Sequence, residues 1–287
     1  MRMLIESHPL AFVMIAFVGS MVAGCFGALV GLGGGILVTP MLVLLCGVDM
    51  RLAMGASLLA VIATSSGAAA GRSRDPLSNY RVGMFLELAA TVGAVAGALL
   101  AAISNPAWLQ LFFGCLLVMI ALVTARKRED TVTHELPRNR LAGLLRLDGR
   151  IESASGAVDY HIQKPGGGFS VMLGAGVISG LLGIGSGVLK VVAMDSLMKM
   201  PFRASTTTSN FMIGLTALAS VGVYLSQGFI DPMIAAPVLL GIVPGAMLGA
   251  KLVTVIRVLW LRRIFLVALL LIAVQMLIKG GGRILGA

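Results

Sequence analysis

Residues 24–40, GCFGALVGLGGGILVTP, place three glycines at alternate positions in a run that is otherwise as apolar as a membrane helix. Residues 176–192, GVISGLLGIGSGVLKVV, repeat the pattern. Each glycine inside a helix costs about 0.5–1 kcal/mol relative to alanine and permits positive φ, so both runs predict a break in a helix. In lipid, such a break is tolerated only where it is buried in protein or lines a wet cavity. The two glycine runs are therefore the first candidates for a binding site.

The composition predicts an all-α, polytopic membrane protein whose partner is the lipid bilayer. Of the 287 residues, 58% are hydrophobic and 12% are charged, with a mean hydropathy of +0.99. An ordinary soluble domain carries about 25% charged residues. The 22 Lys and Arg residues exceed the 12 Asp and Glu residues, but the positive charges lie in loops between apolar runs. The positive-inside rule accounts for that placement, so we predict no nucleic-acid partner.

The chain contains an internal duplication. A shift of 152 residues aligns residues 23–122 with 175–274 without a gap and gives 23 identities in 100 positions. A composition this biased would give roughly ten. The identities include the alternate glycines, Arg51 with Arg203, Ser57 with Ser209, Thr64 with Thr216, Trp108 with Trp260, and the pattern GAxxGAxL at 93–100 and 245–252.

Loop charge predicts that the two repeats are inverted in the membrane. If each glycine run folds back as a hairpin, nine Lys and Arg residues outside the linker lie on one side and four on the other. If the runs cross the membrane, the split is six to seven, which shows no bias. We therefore predict eight full spans plus two re-entrant or partial segments. The predicted domains are a first transmembrane repeat (1–124), a cytoplasmic linker (125–168) and a second transmembrane repeat (169–287).

Part of the linker has a strand pattern. The sequence RIESASGAVDYHI, residues 150–162, predicts two short strands around a Ser-Gly turn. We interpret the linker as a solvated tether without a function of its own.

Inverted repeats with broken helices are typical of transporters, whose site lies near the membrane midplane between the repeats. A helix that restarts after a glycine break offers free N–H groups and the positive end of its dipole, which favours a small anionic substrate. The alternative is that the glycines serve helix packing only, which fits the GAxxGA patterns at 93 and 245 well.

Polar side chains beside the glycine runs add to this site. Thr206, Ser209 and Asn210 share one helix face at i, i+3, i+4 spacing, and Ser57 is the repeat counterpart of Ser209. Their alternative role is a hydrogen bond to the carbonyl four residues earlier. Lys190 either contributes positive charge to the anion site, or its side chain snorkels to the interface or pairs with an acid such as Asp195 or Glu87. The candidate substrate-binding residues are Gly33, Gly34, Gly35, Ser57, Gly185, Ser186, Gly187, Lys190, Thr206, Ser209 and Asn210.

Patterns for enzymes, metals and cofactors are missing from the sequence. GxxxxGK[ST], HExxH and GxSxG do not occur, and neither His nor Cys residues cluster at metal-ligand spacing. Cys25, Cys46 and Cys115 lie in apolar runs and read as small hydrophobic residues. We therefore predict no catalytic residues, no metal and no cofactor.

The sequence GLLGIGSGVLKVVAM at 180–194, followed by ASTTTSNFMIG at 204–214, resembles the TauE/SafE family of sulfite and organosulfonate exporters. The resemblance covers nearly the whole chain. It implies export of sulfite or an organosulfonate across a bacterial inner membrane, coupled to a proton or sodium gradient. Ser186 departs from the repeated pattern, because the first half has Gly34 there. The residues alone leave open a transporter of another solute or a cation, and a membrane scaffold that transports nothing.

Overall fold

A computed structural model describes residues 9–30, 33–72, 79–125, 140–153, 156–185, 187–252 and 258–285. The first half contains α1 (Pro9–Val30), α2 (Gly35–Leu44), α3 (Met50–Arg72), α4 (Tyr80–Ile103) and α5 (Pro106–Ala125). The linker contributes α6 (Arg140–Leu144), β1 (Gly149–Ser153) and β2 (Gly156–Tyr160). The second half contains α7 (Pro165–Leu182), α8 (Gly187–Val192), a π-helical segment (Ala193–Leu197), α9 (Phe202–Ser226), α10 (Pro232–Leu252) and α11 (Val258–Leu285).

The structure is that of a multi-pass membrane protein. Within the described residues, seven helices are long and apolar enough to cross a membrane: parts or all of α1, α4, α5, α7, α9, α10 and α11. Two shorter apolar helices, Gly35–Leu44 and Met50–Ser66, accompany them. Many large apolar side chains point outward, as expected of a surface that faces lipid. The all-α membrane class is thus confirmed, whereas the count of eight spans and the inverted orientation stay predictions.

The helices follow the duplication seen in the sequence. Adding 152 to the bounds of α3 gives 202–224, and α9 covers Phe202–Ser226. The two main helix pairs each join a helix of the first half to a helix of the second: α1 packs against α10, and α4 packs against α7. These two are called the exchanged pairs. The counterparts α3 and α9 pack against each other, as do α5 and α11. The two halves are therefore interlocked through corresponding contacts.

Glycines let the exchanged pairs approach backbone to backbone. A methyl group added at Gly245 would lie 2.0 Å from the carbonyl oxygen of Met21, and one at Gly97 would lie 2.0 Å from that of Val177. Each of these glycines belongs to a GAxxGAxL pattern, and each faces the first helix of the opposite half. The packing interpretation of those patterns is confirmed, since no side chain fits between such close helices.

Asn or Asp residues begin several of the spans. Asn79 Oδ1 accepts a hydrogen bond from the Val82 N–H at 3.1 Å at the start of α4. At the equivalent place before α10, Asp231 Oδ1 accepts from the Met233 N–H at 2.8 Å. These caps satisfy backbone donors that have no partner within the helix, and they fix where α4 and α10 start.

The linker differs from the solvated tether expected from its sequence. The predicted hairpin is confirmed, with β1 antiparallel to β2, while residues 154 and 155 of its turn lie outside the described part. Leu147 and Tyr160 are buried, and Asn79 Nδ2 donates to the Leu147 carbonyl oxygen at 2.8 Å and to Tyr160 Oη at 3.0 Å. Burial raises the pKa of the Tyr160 hydroxyl. The linker is docked because its apolar side chains join a core formed with α4, α7 and the π-helical segment.

Candidate functional site

Both glycine runs form sharp turns between two helices. Gly33 (φ +76°) lies just before α2, and Gly183 and Gly185 (φ +68° and +73°) lie between α7 and α8. Residues other than glycine rarely adopt such φ values. The predicted helix breaks are therefore present in both halves, and α2 and α8 start directly after them.

Both glycine runs lie close to one pair of apolar side chains: Gly185 to Ile213 and Val61, Gly33 to Ile213, and Gly35 to Val61. A methyl group at Gly185 would lie 2.8 Å from Ile213 Cγ2 and 2.9 Å from Val61 Cγ1, and one at Gly33 would lie 3.8 Å from Ile213 Cγ2. Val61 on α3 and Ile213 on α9 are repeat counterparts, and both are buried. Sequence reasoning missed this pair, although each residue follows Ser57 or Ser209 by four positions and so shares its helix face. The structure thus brings the turns of the two halves together around Val61 and Ile213.

The buried serines hold the segments that follow the turns. Ser57 Oγ lies 2.8 Å from the carbonyl oxygen of Gly35 and 2.9 Å from that of Gly183, so its single hydrogen is shared between the two halves. Ser209 Oγ donates to the carbonyl oxygen of Gly187 at 3.2 Å. Neither serine makes the alternative bond to a carbonyl four residues earlier. Their hydroxyls instead fix α2 and α8 against α3 and α9.

We expect Ser57→Ala to lower the thermal stability of the purified protein in detergent. The change removes the donor that Gly183 shares with Gly35, which corresponds to about 1–3 kcal/mol for a buried group that loses its partner. Ser226→Ala is the matched control, because Ser226 is exposed at the end of α9. Equal melting temperatures for the two variants would contradict the assigned role of Ser57.

Lys190 is fully buried in a cluster of polar groups. Its Nζ donates to Glu87 Oε2 at 3.3 Å, to the Met212 carbonyl oxygen at 3.1 Å and to Thr216 Oγ1. Thr216 Oγ1 lies 2.6 Å from Glu87 Oε1, and Thr91 Oγ1 lies 3.4 Å from the same oxygen. Of the two acids considered as partners for Lys190, the structure pairs it with Glu87. The cluster joins α4 of the first half to α8 and α9 of the second.

The remaining predicted site residues lie at the starts of α2 and α8, on α9 or outside the described residues. Gly34, Gly35 and Gly187 are buried at the starts of α2 and α8, whereas Thr206 and Asn210 are half-buried on α9. Ser186 lies outside the described residues. A binding role for each of these residues stays a prediction.

An apolar cavity lies apart from the glycine turns. Its volume is about 340 Å³, and it is lined by side chains of α1, α2 and α11, with Gln275 as the polar exception. Such a lining offers an anion almost no hydrogen-bond donors, so the cavity does not fit the predicted substrate.

The fold and the paired glycine turns define the class of protein. Duplicated halves with broken helices that meet inside a membrane domain are the architecture of membrane transporters. The model of the family described as "Sulfite exporter TauE/SafE" matches residues 16–276. The chain belongs to this family, and it is a membrane transporter rather than an enzyme.

Curated bacterial relatives agree with this assignment. Probable membrane transporter protein YunE of Bacillus subtilis (strain 168) is 27% identical over 253 residues, which cover 85% of this chain and 87% of the relative. YdhB of the same organism, also named a probable membrane transporter protein, is 26% identical over 246 residues, 83% and 88% of the two chains. A probable membrane transporter protein of Xylella fastidiosa (strain 9a5c) is 27% identical over 237 residues, 82% of each chain. No solved structure matches the chain. The bacterial sources are consistent with an inner-membrane location.

Proposed function

We propose that the chain exports a small sulfur-containing oxyanion, sulfite or an organosulfonate, across the inner membrane, and that this transport is coupled to an ion gradient. The substrate class is drawn from the description of the family. The site consists of the two glycine turns, the serines that hold them and the nearby Lys190.

One observation carries the proposal. The positive-φ turns at Gly33 and Gly185 belong to different halves, yet both approach the side chain of Ile213. Glycine allows a ligand close to the backbone, and the helix that follows a turn presents N–H groups without partners in that helix. A small oxyanion between the turns can accept these hydrogen bonds from both halves once Val61 and Ile213 move apart.

Charge also favours an anion. The formal net charge of the chain is +10, and the fully buried Lys190 lies one helical turn beyond Gly187. In the described state the Glu87 carboxylate pairs with this ammonium group, so Lys190 attracts an oxyanion once that carboxylate is neutralised or moves away.

The packing between the halves is compatible with inverted or parallel repeats, and the loop charges favour the inverted arrangement. An approximate two-fold rotation relates the pair of α1 and α10 to the pair of α7 and α4. The loop charges favour a rotation axis that lies in the membrane plane. The proposed orientation then puts the linker in the cytoplasm.

The test is uptake of radiolabelled sulfite into liposomes that hold the purified protein, with and without an imposed pH gradient. We expect uptake above that of protein-free liposomes, and we expect unlabelled organosulfonates to compete for it. Transport of a cation or neutral solute, without competition by anions, would retain the transporter and overturn its proposed substrate. The absence of flux for every solute tested would favour a scaffold.

A further inference from the structure

The cluster of Glu87, Lys190 and Thr216 occurs once, although the protein is duplicated. A shift of 152 residues takes the three positions to Leu239, Val38 and Thr64. The counterpart of this cluster, formed by one position of the second half and two of the first, is thus apolar apart from one hydroxyl. Helix packing alone does not need the charges, because the same architecture accommodates Leu and Val at the equivalent places.

We infer that Glu87 and Lys190 form a coupling site, in which Glu87 binds one proton when Lys190 binds one singly charged oxyanion. This inference rests on the proposed function and adds its stoichiometry. The anion and the proton then cross the membrane together, in the same direction, so an outward gradient of the oxyanion drives export and carries the proton out with it.

The hydrogen bonds of Lys190 support an order of events in which a proton binds Glu87 and the anion then pairs with Lys190. In the described state Lys190 Nζ is fully buried, and its donors are used by Glu87, Thr216 and the carbonyl oxygen of Met212. An incoming oxyanion therefore competes with the Glu87 carboxylate for the ammonium group. A proton that binds Glu87 turns the carboxylate into a neutral carboxylic acid and releases Lys190. The anion then pairs with Lys190, and each partner favours binding of the other.

Charge balance makes the loaded and empty forms equally acceptable in a dry environment. The empty site holds one carboxylate and one ammonium group, while the loaded site holds a neutral acid, the ammonium group and a single negative charge on the substrate. Both are neutral, so neither form leaves an uncompensated buried charge, which would cost several kcal/mol.

Other titratable groups on the elements around the cluster are exposed, lie on a neighbouring segment or make hydrogen bonds to other groups. α4 packs against α7 and α9, and α7 carries none within its bounds. Among the described side chains of the remaining elements, Tyr80 and Arg81 on α4 are exposed, Tyr224 on α9 donates to the Gly180 carbonyl oxygen at 3.0 Å, and Asp195 lies on the π-helical segment. Tyr160 of the docked linker accepts a hydrogen bond from Asn79. Lys190 is the charged group in contact with Glu87.

The position of the cluster connects it to the site. Met212, whose carbonyl oxygen accepts from Lys190, directly precedes Ile213, and the side chain of Ile213 lies where a methyl group added at Gly33 or Gly185 would meet it. A change at Lys190 is therefore transmitted along one residue of α9 to the side chain that separates the turns.

The experiment measures radiolabelled sulfite in proteoliposomes, in two modes. In the net mode, the external pH is one unit below the internal pH and the membrane potential is clamped. We expect wild-type protein to drive the singly charged form of sulfite, bisulfite, toward about tenfold accumulation, since one pH unit corresponds to about 1.4 kcal/mol in a one-to-one coupling. In the exchange mode, labelled sulfite outside exchanges with unlabelled sulfite inside at equal pH.

Glu87→Gln keeps the shape of the side chain and cannot bind the coupled proton. We expect it to retain exchange and to lose net accumulation, because its loaded form is neutral but its empty form leaves Lys190 unpaired. Arg81→Gln, which changes an exposed charge on the same helix, is the matched control and should behave like the wild type. Protein-free liposomes under the same gradient give the accumulation that sulfite reaches by crossing the bilayer as neutral SO2. Only initial uptake above that level is assigned to the protein, so a difference between variants in this uptake reports on Glu87.

Each outcome decides between the two proposals. Wild-type exchange without a response to the pH gradient, or accumulation driven by the opposite gradient, would overturn the coupling site and leave the sulfite transporter standing. Net accumulation by Glu87→Gln would do the same. No sulfite flux in either mode would overturn the proposed function itself. If Glu87→Gln does not fold, the wild type still provides a test: one-to-one coupling predicts that an imposed membrane potential does not change its accumulation, and a strong effect would contradict it.

Discussion

Replacing Gly185 with alanine will reduce sulfite transport by at least about tenfold while the protein still inserts into the membrane. The residue has φ +73°, and a left-handed conformation costs an L-residue about 1–2 kcal/mol. In addition, the new methyl group would lie within 2.9 Å of both Ile213 and Val61, so the side chains between the turns must shift. The measurement is radiolabelled sulfite uptake per amount of reconstituted protein.

Gly174→Ala is the control for this experiment. Gly174 lies on α7, the helix that leads into the same turn, and a methyl group there would meet nothing within 4 Å. We expect wild-type uptake from this variant. Wild-type uptake from Gly185→Ala as well would remove the second glycine turn from the transport site.

The second large effect concerns the buried ion pair. Lys190→Val will strongly destabilise the protein, because it leaves the Glu87 carboxylate buried without its charged partner. Removing one member of a buried pair costs about 3–5 kcal/mol. The measurement is the thermal unfolding of the purified protein in detergent at fixed pH.

The double variant Glu87→Leu with Lys190→Val should recover most of that stability. It places at the cluster the side chains that the chain already has at the equivalent positions, Leu239 and Val38. Replacing a buried ion pair by apolar residues is often neutral or stabilising. We further expect the double variant to have lost accumulation driven by the pH gradient. If the loss of stability in the double variant equals the sum of the losses in the two single variants, Glu87 and Lys190 do not act as a pair.

The features that were predictable from the sequence are those encoded by local pattern and by the repeat. Glycine at alternate positions indicated the turns at Gly33 and Gly185, because a positive φ is a local requirement. The shift of 152 residues predicted equivalent helices, since each half uses the same apolar periods. The hairpin of β1 and β2 followed from short alternating segments around a turn.

Contacts between helices that are distant in the sequence were harder to predict, because they depend on how each helix is rotated against its neighbours. Asp195 lies five residues from Lys190 in sequence and Glu87 lies 103 residues away, yet the structure pairs Lys190 with Glu87. The packing of both α4 and α8 against α9 brings that carboxylate to the ammonium group. The bond from Ser57 to Gly183 has the same origin, since it spans 126 residues. The docked linker was missed because its few apolar residues do not reveal which core they join.

The glycine contacts between α1 and α10, and between α4 and α7, bear on how the transporter can move. Each contact brings two backbones too close for a side chain to intervene, and each joins a helix from one half to a helix from the other. Helices locked in this way travel together. We therefore expect the bodies that shift during a transport cycle to be these mixed pairs, each composed of both repeats, rather than one sequence half rocking against the other.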